Sequence, residues 1–343
     1  MTWRFLVLIA LVSAISLENG TSIRAEDFAH SESLEQSIPM LAQAMSARDY
    51  LNRGYAKYDL GDKEGAIADY SEAIRLNPND ADVYYDRGFM KDELGDKQGA
   101  IADYSEAIRL NPNYADAYYN RGIKKDDLGD KQGAIADYSK AIRLNPNKAN
   151  AYINRGLLKN DLGDKQGAIA DYNEAIRLNP NDADAYYNRG ITKDDLGDKK
   201  GAIADYSEAI RLNPNDADAY INRGLLKNDL GDKQGAIADY NEAIRLNPNF
   251  ALAYSNRGYA KYGAGDKQGA IADFNEAIRL DPNFADAYYN KACYYSLQNN
   301  LELALLNLQK AIQLYPDSFR QLAKTDKDFD NIRGEARFQE LLR

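Results

Sequence analysis

Eight of the nine prolines (Pro78, Pro112, Pro146, Pro180, Pro214, Pro248, Pro282 and Pro316) stand 34 residues apart. No other feature limits the fold as much, because a fixed period of this length demands one small unit stacked many times. Of the 24 glycines, 21 recur at three places in the same register. With Ala47 as position 1, eight units follow: 47–80, 81–114, 115–148, 149–182, 183–216, 217–250, 251–284 and 285–318.

The unit at 149–182 shows the local logic. Tyr152, Gly156 and Leu162 mark the inward side of a first helix, which Gly163-Asp164 stops, with glycine suited to the left-handed cap and Asp164 to the next N-cap. Ala168, Ile169, Tyr172, Ala175 and Ile176 then form one apolar stripe of a second helix. Asn179-Pro180 closes it, since proline pushes the preceding residue out of the α region, and Asn181 is read as the N-cap of the following unit. Such a hairpin cannot bury its own faces, so the stack must supply the core.

This pattern resembles the tetratricopeptide repeat (TPR), over residues 47–318. The family places a large residue at position 4, small ones at 8, 20 and 27, an aromatic at 24 and proline at 32. In the second unit these are Tyr84, Gly88, Ala100, Tyr104, Ala107 and Pro112. The eighth unit departs, with Ala292 for glycine, Leu308 for the aromatic and Asn299-Asn300 for Gly-Asp, as suits a unit near a capped end. The resemblance implies an all-α, right-handed superhelical solenoid of eight helix-turn-helix repeats, bacterial in flavour, closed by a C-terminal helical cap at 319–343. Covering residues for that cap are Phe319, Leu322, Phe338, Leu341 and Leu342. Residues 115–182 and 183–250 differ at only six positions, the mark of a duplicated two-unit block, so agreement between units is partly history.

One feature departs from the family in seven units. Positions 7 and 11 of the first helix are basic and position 23 of the second is acidic, as in Arg53, Lys57 and Asp69, or Arg257, Lys261 and Asp273. Cations four apart share a helix face, so each aspartate is expected to bridge the arginine, and the lysine with it, between the two helices.

Ahead of the array, MTWRFLVLIALVSAIS has a basic start and a short apolar run, the form of a secretory signal within residues 1–25. Cleavage would fall after Ser16 or Ala25; an uncleaved membrane anchor is the alternative. Residues 26–46 read as an acidic linker. Export to the periplasm or the outside is therefore expected, with no stable membrane span once the signal is removed.

Catalytic chemistry has little to work with. One histidine (His30) and one cysteine (Cys293) exclude a His-rich metal site and a Cys-based zinc site, and no phosphate-binding loop or nucleophile motif is present. Neighbouring acidic pairs such as Asp126-Asp127 and Asp194-Asp195 read as solvated helix faces. Cys293 reads as a buried, inert thiol. No catalytic, cofactor or metal residues are assigned. A formal net charge of −10 argues against nucleic acid.

The family resemblance implies a concave groove lined by positions 2, 5, 6, 9, 12 and 13 of the first helices, holding an extended or helical segment of a partner protein. Candidate groove residues are Tyr85, Asp92, Tyr119, Asn120, Asp126, Ile153, Asn154, Asn160, Tyr187, Asn188, Asp194, Asn222, Asn228 and Asn256. Amides can bond a partner's main chain, and Tyr and Ile can supply apolar pockets. The family's carboxylate clamp needs Lys and Arg where this chain has Asp116, Tyr119 and Asn120, which disfavours a chaperone-tail role. Acidic residues at these positions (Asp82, Asp92, Glu93, Asp116, Asp126, Asp127, Asp184, Asp194, Asp195, Asp218 and Asp229) point to a basic partner. The expected function is a non-catalytic protein-interaction scaffold. A structural envelope spacer or adhesin working through its outer face or ends is the alternative, and a carrier of a small ligand or lipid the third class.

Overall fold

The computed structural model describes residues 45–343. The expected signal and most of the expected linker lie outside the described residues. Among the described residues there are eighteen α-helices, one short 3-10 turn and no strand. They form two compact units, one ending at Lys124 and one running from Lys125 to Arg343.

The first unit holds the hairpins α1 (Ala47–Asp59) with α2 (Lys63–Leu76) and α3 (Ala81–Glu93) with α4 (Lys97–Leu110), and it ends within α5 (Ala115–Asp127), whose last three residues are counted with the second. Ser46 starts α1 with a reciprocal capping box: the Asp49 N–H donates to Ser46 Oγ, and the Ser46 N–H donates to Asp49 Oδ2 at 2.8 Å. Tyr70, Ala73 and Ile74 pack on Val83 and Met90, which joins one hairpin to the next.

The second unit repeats the pattern. It holds α6 (Lys131–Leu144), α7 (Ala149–Asp161), α8 (Lys165–Leu178), α9 (Ala183–Asp195), α10 (Lys199–Leu212), α11 (Ala217–Asp229), α12 (Lys233–Leu246), α13 (Ala251–Gly263), α14 (Lys267–Leu280), α15 (Ala285–Leu297) and α16 (Leu301–Leu314). In each hairpin the two helices pack along their length, and each second helix packs on the following first helix. The 34-residue period is thus a period of helix packing.

Each turn is built as the residues require. Gly163 takes φ +87°, a left-handed conformation that a side chain would strain, and Asp164 caps α8 by accepting from the Gly167 N–H at 3.0 Å. The cap of the following repeat is Asp182, one residue later than the sequence suggested. Its carboxylate accepts from Asp184 and Ala185 N–H, while the Asn179 amide oxygen takes the Asn181 N–H. Where that position is Lys148 or Phe250, the helix starts with no side-chain cap. Leu162 also differs from expectation: it ends α7 and is exposed, because the chain has already turned away from the core.

The expected bridges form and do more than expected. Asp171 is buried and accepts from Arg155 Nε at 2.9 Å, Arg155 Nη2 at 2.6 Å and Lys159 Nζ at 2.8 Å. The same Arg155 donates from Nη1 to Ser139 Oγ on α6 and lies over the Tyr152 ring. One guanidinium therefore ties three helices together. Arg189, Arg223 and Arg257 do the same through Asn173, Ser207 and Asn241. In the last repeat Lys291 keeps the inter-repeat link, to Asn275 at 2.7 Å, while Asn307 turns to its own helix.

The last repeat also changes its turn. Asn299 adopts φ +56° and Asn300 caps α16, so Asn-Asn performs the work of Gly-Asp. Pro316 then occupies the first turn of α17 (Pro316–Thr325), starting a helix where its counterparts close one. The 3-10 turn (Lys327–Phe329) and α18 (Ala336–Leu341) follow. Phe319, Phe329, Ile332, Phe338 and Leu342 seal the core beside Tyr289 and Leu308. Leu322, expected among these residues, is instead exposed, and Leu341 packs at the edge of the cluster.

Candidate partner-binding surface

In the second unit the first helices of successive repeats touch side by side: α7 with α9, α11 with α13, and α13 with α15. Their open sides therefore form a row in that unit; the candidate residues of either unit, each taken by itself, meet three different fates.

The position-5 and position-6 residues are largely used within the chain. Asn120 Nδ2 donates to Tyr85 Oη at 2.9 Å, and Asn222 Nδ2 donates to Tyr187 Oη at 3.0 Å, each pair linking consecutive repeats. Asn290 makes the same link to Ser255. Tyr85 also stacks on Tyr114, with ring centroids 4.9 Å apart. Tyr119 and Asn154 are likewise engaged within the chain. The amides read from sequence as free for a partner's backbone are thus, at Asn120 and Asn222, already spent. Where the preceding repeat offers isoleucine in place of tyrosine the ladder is interrupted: Asn188 follows Ile153 and is half-buried, and Asn256 follows Ile221 and leaves a buried Nδ2 without an acceptor. Ile153 and Ile221 are themselves core residues, packed on Tyr172 and Tyr240, and form no exposed pocket.

Much of the acidity is neutralised as well. The position-13 carboxylates accept from the lysine that opens the preceding repeat's second helix: Glu93 from Lys63 at 2.8 Å, Asp161 from Lys131 at 2.6 Å, Asp195 from Lys165 at 3.1 Å and Asp229 from Lys199 at 2.7 Å. Adding up carboxylates along the sequence therefore overstated the field, because each lysine sits a full repeat away from its partner.

Position 12 behaves differently. Asp92 holds Lys124 Nζ at 2.8 Å. Asn228 is buried and accepts from Lys233, which turns back to it because the next repeat has Gly263 where the first six repeats have an acid. At Asp126, Asn160 and Asp194 the local lysine has gone to the next repeat instead. Asp126 and Asp194 stay half-buried, and burial holds both carboxyls above the ordinary aspartate pKa. The Asn160 Oδ1 is buried with no hydrogen-bond donor.

A second polar group lies at the C-terminal end. The Cys293 Sγ and the Asp326 and Asp328 carboxylates come within 4.8 Å of one another, and Tyr289 Oη donates to Asp326 Oδ2 at 2.7 Å. Sequence reasoning missed this group, since Cys293 and the two aspartates lie about one repeat apart along the chain. Burial first, then the two carboxylates, pushes the thiol pKa up, which disfavours the thiolate form. The contacts fasten the 3-10 turn onto α15.

No helix among the described residues is long and apolar enough to cross a membrane. A family model described as TPR repeat matches residues 54–91, 93–123, 158–193 and 226–265. Models described as tetratricopeptide repeat match 115–148, 183–216 and 251–284, and also 274–305. No curated protein matches. Among solved structures, a tetratricopeptide repeat protein from Parabacteroides merdae shares 23% identity over 76% of this chain and 98% of its own, with a TM-score of 0.52. Pseudomonas aeruginosa pilF shares 18% over 60% and 94%, with a TM-score of 0.52. MamA shares 32% over 50% and 93%, with a TM-score of 0.47. The repeat matches, the all-helical hairpins and the two likenesses of fold at a TM-score of 0.52 agree, and the chain belongs to the tetratricopeptide repeat family.

Proposed function

We propose that this protein is a non-catalytic interaction scaffold outside the cytoplasm, whose first-helix row forms a groove for an extended or helical segment of a partner protein. The observation that carries the reading is the contrast at position 12. The bridging carboxylates between helices are buried and fully bonded, whereas Asp126, Asn160 and Asp194 are half-buried acceptors that the chain leaves unused. A half-buried carboxylate without a cation is a cost to the isolated protein that a cationic partner would remove. A lipid or small-ligand carrier would need an enclosed apolar cavity instead, and polar residues at position 12 of this row disfavour one.

Crosslinking from a photoreactive residue at Asn188, followed by mass spectrometry of the captured protein, tests the scaffold role. A partner crosslinked through the first-helix row is the expected result, and a partner held only through the second helices or the C-terminal segment would refute it. Export has its own test. Trp3 is the single tryptophan, so protein purified from the exported fraction should fluoresce from tyrosine alone, and native protein beginning at Met1 would overturn cleavage.

A further inference from the structure

We infer that Asp126, Asn160 and Asp194 act as a ruler that selects a partner segment carrying two ammonium side chains about six residues apart. This rests on the proposed groove and adds to it the chemistry and spacing of the occupant.

The chain contains its own model of the contact. In the first unit the position-12 residue Asp92 accepts Lys124 Nζ at 2.8 Å, with the lysine side chain 12% exposed and the aspartate 25%. Lys124 stands at position 10 of the repeat that follows Asp92. The equivalent residues following Asp126, Asn160 and Asp194 are Leu158, Thr192 and Leu226, which are buried and bring no charge. Where this chain supplies an ammonium group, the position-12 carboxylate takes it; in the second unit none is supplied from that position.

The alternative intramolecular cation is also committed. Lys131 and Lys199 are the lysines that most affect Asp126 and Asp194 electrostatically, yet their Nζ atoms bond Asp161 and Asp229 at 2.6 and 2.7 Å. Asn228 supplies the internal control. There the acid at position 13 of the next repeat is missing, and the lysine returns to position 12 at 2.9 Å. Between the two open carboxylates stands the neutral, half-buried Asn160, so the charges alternate along the row.

The spacing follows from packing. The first helices α7 and α9 lie side by side, packed helices have axes about 10 Å apart, and the 34-residue period sets the same step from α5 to α7. Two repeats then separate Asp126 from Asp194 by about 20 Å, or about six residues of extended chain at about 3.3 Å each.

The test uses the full exported chain and fluorescein-labelled, otherwise Ser/Ala peptides carrying two lysines at separations of three, six or nine residues. Binding should be tightest at six. The double variant Asp126→Asn, Asp194→Asn should weaken that peptide by about a hundredfold and abolish the preference, at about tenfold per charge-assisted contact. Both substitutions copy what Asn160 and Asn228 already are, and unchanged circular dichroism confirms the fold. Asn160→Asp in the otherwise native chain should add a carboxylate one repeat from each of the other two and so tighten binding of the three-residue spacing. Binding that ignores spacing and survives the double variant overturns the ruler while leaving the groove intact. Failure of every peptide, with a natural partner still captured through Asn188, overturns the ruler as well.

Discussion

Replacing Asp171 by asparagine removes one charge and almost no volume, which isolates the electrostatic part of the inter-helix tie. Asp171 is 4% exposed, accepts two charge-assisted hydrogen bonds from Arg155 and pairs with Lys159 Nζ at 2.8 Å. Its partners Arg155 and Lys159 keep only 17% and 23% of their side-chain surface in water. Breaking a buried pair from one side costs about 3–5 kcal/mol; partial solvation of the two cations and the remaining amide oxygen place Asp171→Asn near the lower end, at about 3 kcal/mol. The second unit, Lys125–Arg343, falls in the size range where each kcal/mol moves the Tm by about 2–4 °C. The Tm should therefore fall by about 6–12 °C if the unit melts as one. Repeat arrays can also open locally, so the melt should be read beside amide exchange, with protection lost first in α7 and α8. The exposed pair Lys131–Asp161 is the comparison: its loss should leave the melt unchanged. Exchanging Arg155, Lys159 and Asp171 together for leucines should recover much of the loss, because no cation is then left facing an apolar neighbour without its carboxylate. An Asp171→Asn variant as stable as Asp161→Asn would refute the argument that the buried tie holds adjacent helices.

Three further outcomes follow from the same geometry. Gly156→Ala would set a methyl 2.8 Å from the Tyr172 ring, and should cost about 1–3 kcal/mol in urea melts by pushing the hairpin apart. Deleting 183–250 should leave a folded, shorter array by circular dichroism, with Asp182 now capping the helix that Phe250 leaves uncapped, whereas deleting half a repeat (183–199) should unfold its neighbours. Acid acts oppositely at two sites. The Arg53 hydrogen bond lowers the Asp69 pKa below 3.8, so the stability it contributes is present above that value and is lost as pH falls through the folded pKa. Burial raises Asp126 and Asp194, so the folded form takes up their protons first, and stability gains as pH falls through the raised values. Binding of the two-lysine peptide should therefore fade at a higher pH than ordinary aspartates would give.

Local chemistry is written in the sequence because it depends on a few adjacent residues. The helix hairpins, the Gly163 turn, the Asp164 cap and the pairing of positions 7, 11 and 23 all follow from spacing within one repeat. The error at Asn181 was a shift of one residue between two side chains that can both cap; the backbone geometry decides between them. What the sequence could not supply was which neighbour each polar group would meet across repeats. Asn120 and Asn222 look free along the chain and are bonded by tyrosines of the preceding repeat; the acids at position 13 look exposed and are met by lysines one repeat away. Lys233 returns to Asn228 only because Gly263 stands where an acid would have drawn it off. A 34-residue unit fixes its own hairpin, but hydrogen-bond partners are assigned by distance in space, and stacking brings together groups that the sequence keeps a full period apart.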